Sequence, residues 1–288
     1  MKLLSISVFM CFSVGTAVGQ TKPDAALPTP SPEEQAKLLE SVRHYALNYT
    51  QGLPDFICLE QNRRYEDNDA LNSWRLVDVV AARLSFFNRQ EQYQLISQNG
   101  RPVKDGSYGS LEGAVSTGDF GSVMYEIFDP ASQAAFVWKR WTNLRGRLTQ
   151  VFDYRIPLES SKYFIEWGEQ ASKVQKVKVA YRGSIFVDND LNMVVRIDQE
   201  AVNIPPSFPI RQAQETLDYD FTKVGDREFF LPLVATLEMH GRGDKRTRNV
   251  KEFRLYQKFS ADAVIKFDGD LPPLSDDKTK EQAPRKSK

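Results

Sequence analysis

Alternating apolar and polar residues dominate the chain from Asp55 to Phe267 and predict a β-rich region. Phe152, Tyr154 and Ile156 share one strand face, and an Asn99-Gly100 pair separates two such runs. A period of two buries one face and leaves the other in water, which is typical of antiparallel sheets rather than of βαβ folds. Asn-Gly tolerates positive φ and therefore predicts a hairpin turn.

The longest predicted strand lies near the end of this region. Its apolar positions alternate without interruption, and we expect them to share one buried face: Phe229, Leu231, Leu233, Ala235, Leu237 and Met239. Such a run predicts a central strand of the sheet.

Two segments depart from this period and predict helices. From Ser31 to Leu47, Ser31 can cap the helix, Pro32 suits the first helical position, and apolar residues recur at helical spacing. The segment Asp119–Phe128 has the pattern of a short amphipathic helix and follows a Gly- and Ser-rich stretch, Gly106 to Gly118. That stretch could be a lid over a cavity, or the helix could simply close one end of the sheet.

These elements predict a mainly β (α+β) fold. We expect a strongly curved antiparallel sheet or half-barrel, covered by the N-terminal helix and the short mid-chain helix. The predicted single β-rich domain spans residues 31–267.

The two ends of the chain have different compositions. Met1 to Gly19 combines Lys2, an apolar run and a small-residue end, so it predicts a signal peptide cleaved near Gly19 and a protein exported to the periplasm or the extracellular space. Residues 20–30 are Pro- and Ala-rich and predict a flexible linker. Residues 268–288 are charged and almost without apolar side chains, which predicts a disordered tail.

Composition narrows the classes of partner. Lys and Arg together number 38, as do Asp and Glu, and a net charge of zero argues against a nucleic-acid partner. After Gly19 the apolar runs are short, so we expect no stable membrane insertion. Because Cys11 lies in the predicted signal peptide, Cys58 has no intramolecular partner and is read as a buried hydrophobic residue, with an intermolecular disulfide or reactive thiol as the alternative.

Residues that carry catalysis are scarce. The two histidines, His44 and His240, and Cys58 do not favour a zinc site, and no common catalytic motif occurs. Three carboxylates near aromatic residues could form an acid–base pair: Asp153, Glu166 and Glu169. We expect a protein that is not an enzyme and has no metal or other cofactor. The basic segment Gly241 to Asn249 could contact an anion or be a solvated hairpin tip.

Aromatic side chains provide the clearest candidate site. Several lie on the alternating faces, and the predicted ligand-binding residues are Phe136, Trp138, Phe152, Tyr154, Tyr163 and Trp167. A concave face lined by them could be an open hollow that takes an apolar ligand, or a filled core.

Several segments of the chain resemble parts of known proteins. The segment Tyr181–Asp188 and the returning strand Met193–Ile197 resemble the strand-turn-strand pattern of outer-membrane lipoprotein carriers (LolA-like) and of RseB/MucB-like regulatory proteins. The segments Gly118–Ser122, Ile127–Pro130 and Ile204–Ile210 are similar to segments of uncharacterised secreted bacterial proteins of unknown function. The carrier resemblance implies a half-barrel of antiparallel strands closed by helices around an apolar hollow.

Together these observations predict a non-enzymatic cell-envelope protein. Its partner would be a lipid, a lipidated protein or another apolar ligand bound in the hollow of the curved sheet. The alternative is an envelope interaction or sensor module, with a packed sheet and no small-molecule ligand.

Overall fold

A computed structural model describes residues 27–107, 119–167, 175–260, 265 and 269–284. Two α-helices are present in this part of the chain, α1 (Pro32–Asn48) and α2 (Ser122–Phe128). Ser31 caps α1 as predicted, since its hydroxyl accepts from the Glu34 N–H while the Glu34 carboxylate accepts from the Ser31 N–H. The mid-chain helix is also confirmed, but residues 119–121 form a turn before it.

Fourteen strands account for most of the described chain. Their bounds are β1 (Phe56–Asp67), β2 (Arg75–Phe87), β3 (Gln90–Gln98), β4 (Arg101–Ser107), β5 (Ala135–Leu144), β6 (Arg147–Ile156), β7 (Phe164–Trp167), β8 (Gln175–Lys178), β9 (Ala180–Asp188), β10 (Val194–Val202), β11 (Gln212–Val224), β12 (Arg227–His240), β13 (Arg246–Lys258) and β14 (Glu281–Gln282).

Twelve of these strands form one antiparallel sheet in the order β14-β5-β6-β9-β10-β11-β12-β13-β1-β2-β3-β4. The sheet is open, consistent with a half-barrel, and the predicted fold class is confirmed. Strands β7 and β8 form a separate two-stranded sheet. Asn99 and Gly100 make the predicted turn after β3, with φ of 50° and 70°. Residues 108–118, most of the expected lid loop, lie outside the described residues.

The alternation along β12 is interrupted at Leu233. Asp218 pairs with Val234 and Tyr219 pairs with Pro232, so Leu233 is the extra residue of a β-bulge. It is only partly buried, whereas Leu231 and Leu237 are buried. The expectation of one unbroken apolar face was therefore wrong, because a one-residue insertion exchanges the two faces of a strand, and before the bulge Phe230 rather than Phe229 is buried.

A second bulge shapes the surroundings of Cys58. Ile57 pairs with Gln257 and Leu59 with Arg254, which leaves Leu255 and Tyr256 opposite Cys58. Leu255 has a φ of 53°, a left-handed value that is strained for a bulky side chain. Cys58 is free and completely buried, as its interpretation as a hydrophobic residue required, and burial raises the pKa of its thiol well above the ordinary value.

The two faces of the large sheet are covered differently. The helix face is the one covered by α1 and α2, and its side chains, such as Phe56, Phe152 and Tyr219, belong to the main hydrophobic core. The opposite face is the strap face, named for residues 269–284, the strap, which lie against it. Its side chains come from the strand positions that alternate with those of the helix face, for example Arg63, Arg196 and Glu252.

The strap corrects the prediction of a disordered tail. Its first part hydrogen-bonds to Gln61 and Glu252 through the N–H groups of Leu271 and Leu274, and its last part forms β14, which pairs with the end of β5. The sequence did not reveal this because the strap is held mainly by polar groups of the distant sheet, and Leu271 is the strap residue that joins an apolar cluster, beside Ile57 and Leu59. The correction applies to 269–284 only.

Candidate functional site

Five of the six aromatic residues predicted to bind a ligand come together at one side of the helix face. Phe152 and Tyr154 lie on β6, Phe136 and Trp138 on the neighbouring β5, and all four belong to or pack against the main core. Successive ring contacts connect Phe128 on α2 with Tyr163, which precedes β7. The ring centroids are 5.3 Å apart for Phe128–Phe136, 6.3 Å for Phe136–Tyr154, 6.1 Å for Tyr154–Tyr181 and 5.6 Å for Tyr163–Tyr181.

The depth of these residues differs. Phe152 and Tyr154 are buried, while Phe136, Trp138 and Tyr163 are partly buried at the rim. Trp167 stands apart on β7, in the small sheet, and is 43% exposed. Phe152 and Tyr154 thus fill the floor of the predicted hollow. Phe136, Trp138 and Tyr163 form its rim and keep part of their aromatic surface accessible.

The indole of Trp138 has an additional property. Its Nε1 atom is shielded from solvent and has no hydrogen-bond acceptor among the described residues. The same holds for the hydroxyl of Tyr45 on α1, where burial raises the pKa. Buried donors without partners are uncommon, and an oxygen of a bound molecule could satisfy them.

The start of α2 is fixed to the sheet by polar contacts. Asp119 pairs with Lys251 of β13, its carbonyl accepts from the Tyr219 hydroxyl at 3.3 Å, and the Phe120 N–H donates to Glu91 at 3.2 Å. The Phe120 ring packs 5.3 Å from both Phe56 and Phe253. The segment that follows the expected lid stretch is therefore firmly attached to the sheet from Asp119 onward.

Lys251 was not singled out from the sequence, although it lies in phase with apolar Phe253 on the same strand face. Burial by itself would lower its pKa, but the carboxylates of Asp119, Glu60 and Glu215 outweigh burial and raise the pKa above its ordinary value. The lysine is therefore charged at neutral pH within the helix face. The sequence did contain a signal for this site, because Lys251 is a charged residue at a position where the alternating pattern predicts a buried apolar one.

The attachment of α1 is of another kind. The helix places Leu38, Val42 and Ala46 into the main core. Its ion pair and side-chain hydrogen bonds in the described structure stay local: Arg43 with Glu40, Gln35 with the Pro30 carbonyl, and Asn48 with the His44 carbonyl. Apolar contact thus holds the body of α1 on the helix face.

Polar anchors lie at the two ends of this segment. After the helix, the Tyr49 hydroxyl donates to the Phe230 carbonyl at 2.8 Å, and its ring packs 5.9 Å from Tyr219. Before the helix, the indole N–H of Trp141, a partly buried residue of β5, donates to the Pro28 carbonyl at 2.8 Å. The buried anchor is the one at Tyr49, which makes the C-terminal end of α1 its most firmly held part.

The two candidate catalytic carboxylates that the structure describes, Asp153 and Glu166, do not pair with each other. Asp153 accepts from Lys139 at 2.9 Å and from Ser184 at 2.5 Å on the strap face, whereas Glu166 pairs with Lys176 at 2.6 Å in the small sheet. Glu169 lies outside the described residues. Within the described ranges, no group of three or more His, Cys, Asp or Glu side chains could hold a metal ion.

The basic hairpin between β12 and β13 is neutralised by its neighbours. Arg246 pairs with Asp67, Arg248 with Glu238 at 2.6 Å, and Lys245 with Glu66 at 3.3 Å. Pairing with acidic side chains favours the solvated-tip interpretation over an anion site. None of the described helices has the length and apolar character needed to cross a membrane.

Several solved structures resemble this chain, among them the following two. One is a LolA superfamily protein from Nitrosomonas europaea, 12% identical, whose alignment covers 78% of this chain and 93% of that one, with a TM-score of 0.29. The other is the MucA/MucB complex of Pseudomonas aeruginosa, 9% identical, covering 76% and 94%, with a TM-score of 0.23. The distant LolA-like and MucB-like resemblance read from the sequence is confirmed.

No protein-family model matches the chain, and the search of curated proteins returned no match.

Proposed function

We propose that this chain is a non-enzymatic cell-envelope protein that binds an apolar group, such as the acyl chain of a lipid or of a lipidated protein, against the helix face. In this proposal α1 is a displaceable cover and α2 is a fixed wall. The placement in the envelope rests on the predicted signal peptide at residues 1–19.

The observation that carries the proposal is the contrast between the two helices. Displacing α2 would break the buried Asp119–Lys251 pair, whereas displacing the body of α1 exposes only apolar contacts. An acyl chain that takes the place of Leu38 and Val42 restores those contacts, so the exchange has a small net cost. The partly buried aromatic rim, with Phe136 and Trp138, supplies further apolar surface.

The proposal is tested by loosening the cover. Val42 is completely buried, and Val42→Ala removes two methyl-sized groups, about 1.6 kcal/mol of burial at about 0.8 kcal/mol per group. That change raises the uncovered fraction roughly tenfold, and the apparent affinity for a fluorescent fatty-acyl probe rises by a similar factor. The matched control is Lys37→Ala, at an exposed position of the same helix. Unchanged or weaker probe binding by Val42→Ala contradicts the cover role.

A second candidate function has an observation in its favour. Phe152 and Tyr154 are already buried among neighbouring rings, as expected of an interaction module with a packed sheet. That alternative predicts that the native chain binds no acyl probe at any concentration at which it stays folded. Saturable, stoichiometric binding to the native chain decides against it.

A further inference from the structure

The strap contacts the sheet mainly through its backbone. The Arg63 guanidinium donates to the Leu271 carbonyl and Arg254 to the Pro272 carbonyl at 2.8 Å. Farther along, the Lys278 carbonyl accepts from Arg145 at 2.9 Å and the Thr279 carbonyl accepts from Arg196. Because every peptide has carbonyl groups, these contacts are available to any segment that follows the same path, including its short 3-10 turn at Asp276–Lys278.

The arginines of the second half are positioned independently of the strap. Arg145 also donates to Asp218 at 2.8 Å and to the carbonyls of Val195 and Tyr219 at 2.9 and 2.7 Å. Arg196 donates to both carboxylate oxygens of Asp218, at 3.0 and 2.9 Å. A bidentate pair of this kind fixes the guanidinium in place before any peptide arrives.

Burial is unequal between the strap and its receptor. The Arg145 and Arg196 side chains are only 6% and 9% exposed. No described residue of 269–284, by contrast, is fully buried. The arginines are therefore covered and held in place, whereas the strap above them is accessible. This is the arrangement of a binding channel and its ligand.

One strap side chain is recognised specifically. The Glu281 carboxylate accepts from both terminal nitrogens of Arg140, at 2.7 and 3.2 Å, and from the Thr142 hydroxyl at 2.9 Å. Partial burial would raise the pKa of Glu281, but these hydrogen bonds outweigh it and lower the pKa. Glu281 and Gln282 also add a short strand to the edge of β5, beside Leu144 and Asn143.

We propose that the strap face is a docking channel for an acidic peptide segment of a partner protein, and that the strap occupies this channel as an intramolecular competitor. Charge favours an acidic occupant. Arg145 and Arg196 pair with Asp218, but among the described residues the sheet offers Arg140 no carboxylate, and its salt-bridge partner is Glu281 of the strap. The channel lies on the face opposite the proposed acyl site and does not depend on it.

The test uses the full chain and a labelled synthetic peptide of residues 269–284. Glu281→Arg repels Arg140 and releases the end of the strap, and since Glu281 is not fully buried the sheet stays folded. An intramolecular competitor acts at millimolar effective concentration, so its release raises the affinity for the added peptide by about tenfold or more in fluorescence anisotropy. Asp277→Arg makes the same charge change at an exposed strap position and leaves the affinity at the native value.

A receptor variant defines the site. Arg140→Ala, combined with Glu281→Arg, lowers the affinity for the peptide again if the peptide binds in the channel. The proposal is overturned if the peptide binds none of the variants, or if it binds all of them equally. It is also overturned if the native chain is a dimer that excess peptide converts to monomers, because the occupant is then the strap of a second copy.

Discussion

Lys251 of β13 and Asp119, which precedes α2, form an ion pair whose two side chains are only 1% and 3% exposed. The pair lies within the apolar helix face, where α2 begins. It is the strongest reason to regard α2 as a fixed part of the structure and α1 as the part that can move.

Breaking this pair should be strongly destabilising. Lys251→Met leaves Asp119 buried without its cation, beside Glu60 and Glu215, and such a loss costs about 3–5 kcal/mol. Urea unfolding measures the free energy of unfolding. Arg182→Met, which removes an exposed partner of Glu200, is the control and should cost no more than about 1 kcal/mol. Equal losses from the two variants would show that Asp119 does not depend on Lys251.

Gly183 should not tolerate a side chain. It pairs with Tyr154 across β6 and β9, and a Cβ atom added to it would lie 1.8 Å from the Asp198 carbonyl oxygen and 2.7 Å from its carbon. Backbone atoms cannot move aside without disturbing β10, so Gly183→Ala should cost about 3 kcal/mol or more in thermal or urea unfolding. Gly241→Ala, whose Cβ would lie 3.6 Å from the Lys245 carbonyl oxygen, should stay within about 0.5 kcal/mol. A similarly small effect at Gly183 would indicate a different register between β9 and β10.

Substitutions of Trp138 distinguish a hollow that can bind a ligand from a packed core. At the partly buried rim a charge can reach water, so Trp138→Glu should abolish binding of a dansyl fatty acid and leave the far-UV circular dichroism unchanged. Trp138→Phe keeps the apolar surface and should retain most of the binding. Unfolding of Trp138→Glu, with no probe binding by the native chain, would instead favour the interaction module.

The sequence was sufficient wherever the structure is determined locally. The Ser31–Glu34 capping box, the Asn99-Gly100 turn and the period-two strands depend on neighbours a few residues apart, and all three are present. From them the half-barrel and most of the aromatic cluster could be predicted.

The features that the sequence did not reveal depend on distant contacts. The bulge at Leu233 exists only in the pairing of β11 with β12, and the strap is held by arginines far away along the chain. Composition suggested that residues 268–288 could not order themselves, which is reasonable for an isolated segment but not for one supplied with partners by a folded sheet.

The central claim is that an apolar ligand takes the place of α1 on the helix face. Amide hydrogen exchange of the native chain, with and without a saturating fatty-acyl probe, tests it most directly. The account predicts faster exchange in residues 32–48 when the probe is bound, while the amides of β6 and β9 beneath remain protected. Unchanged or slower exchange in α1 with the probe fully bound would contradict it, because the ligand would then lie elsewhere or leave the cover closed.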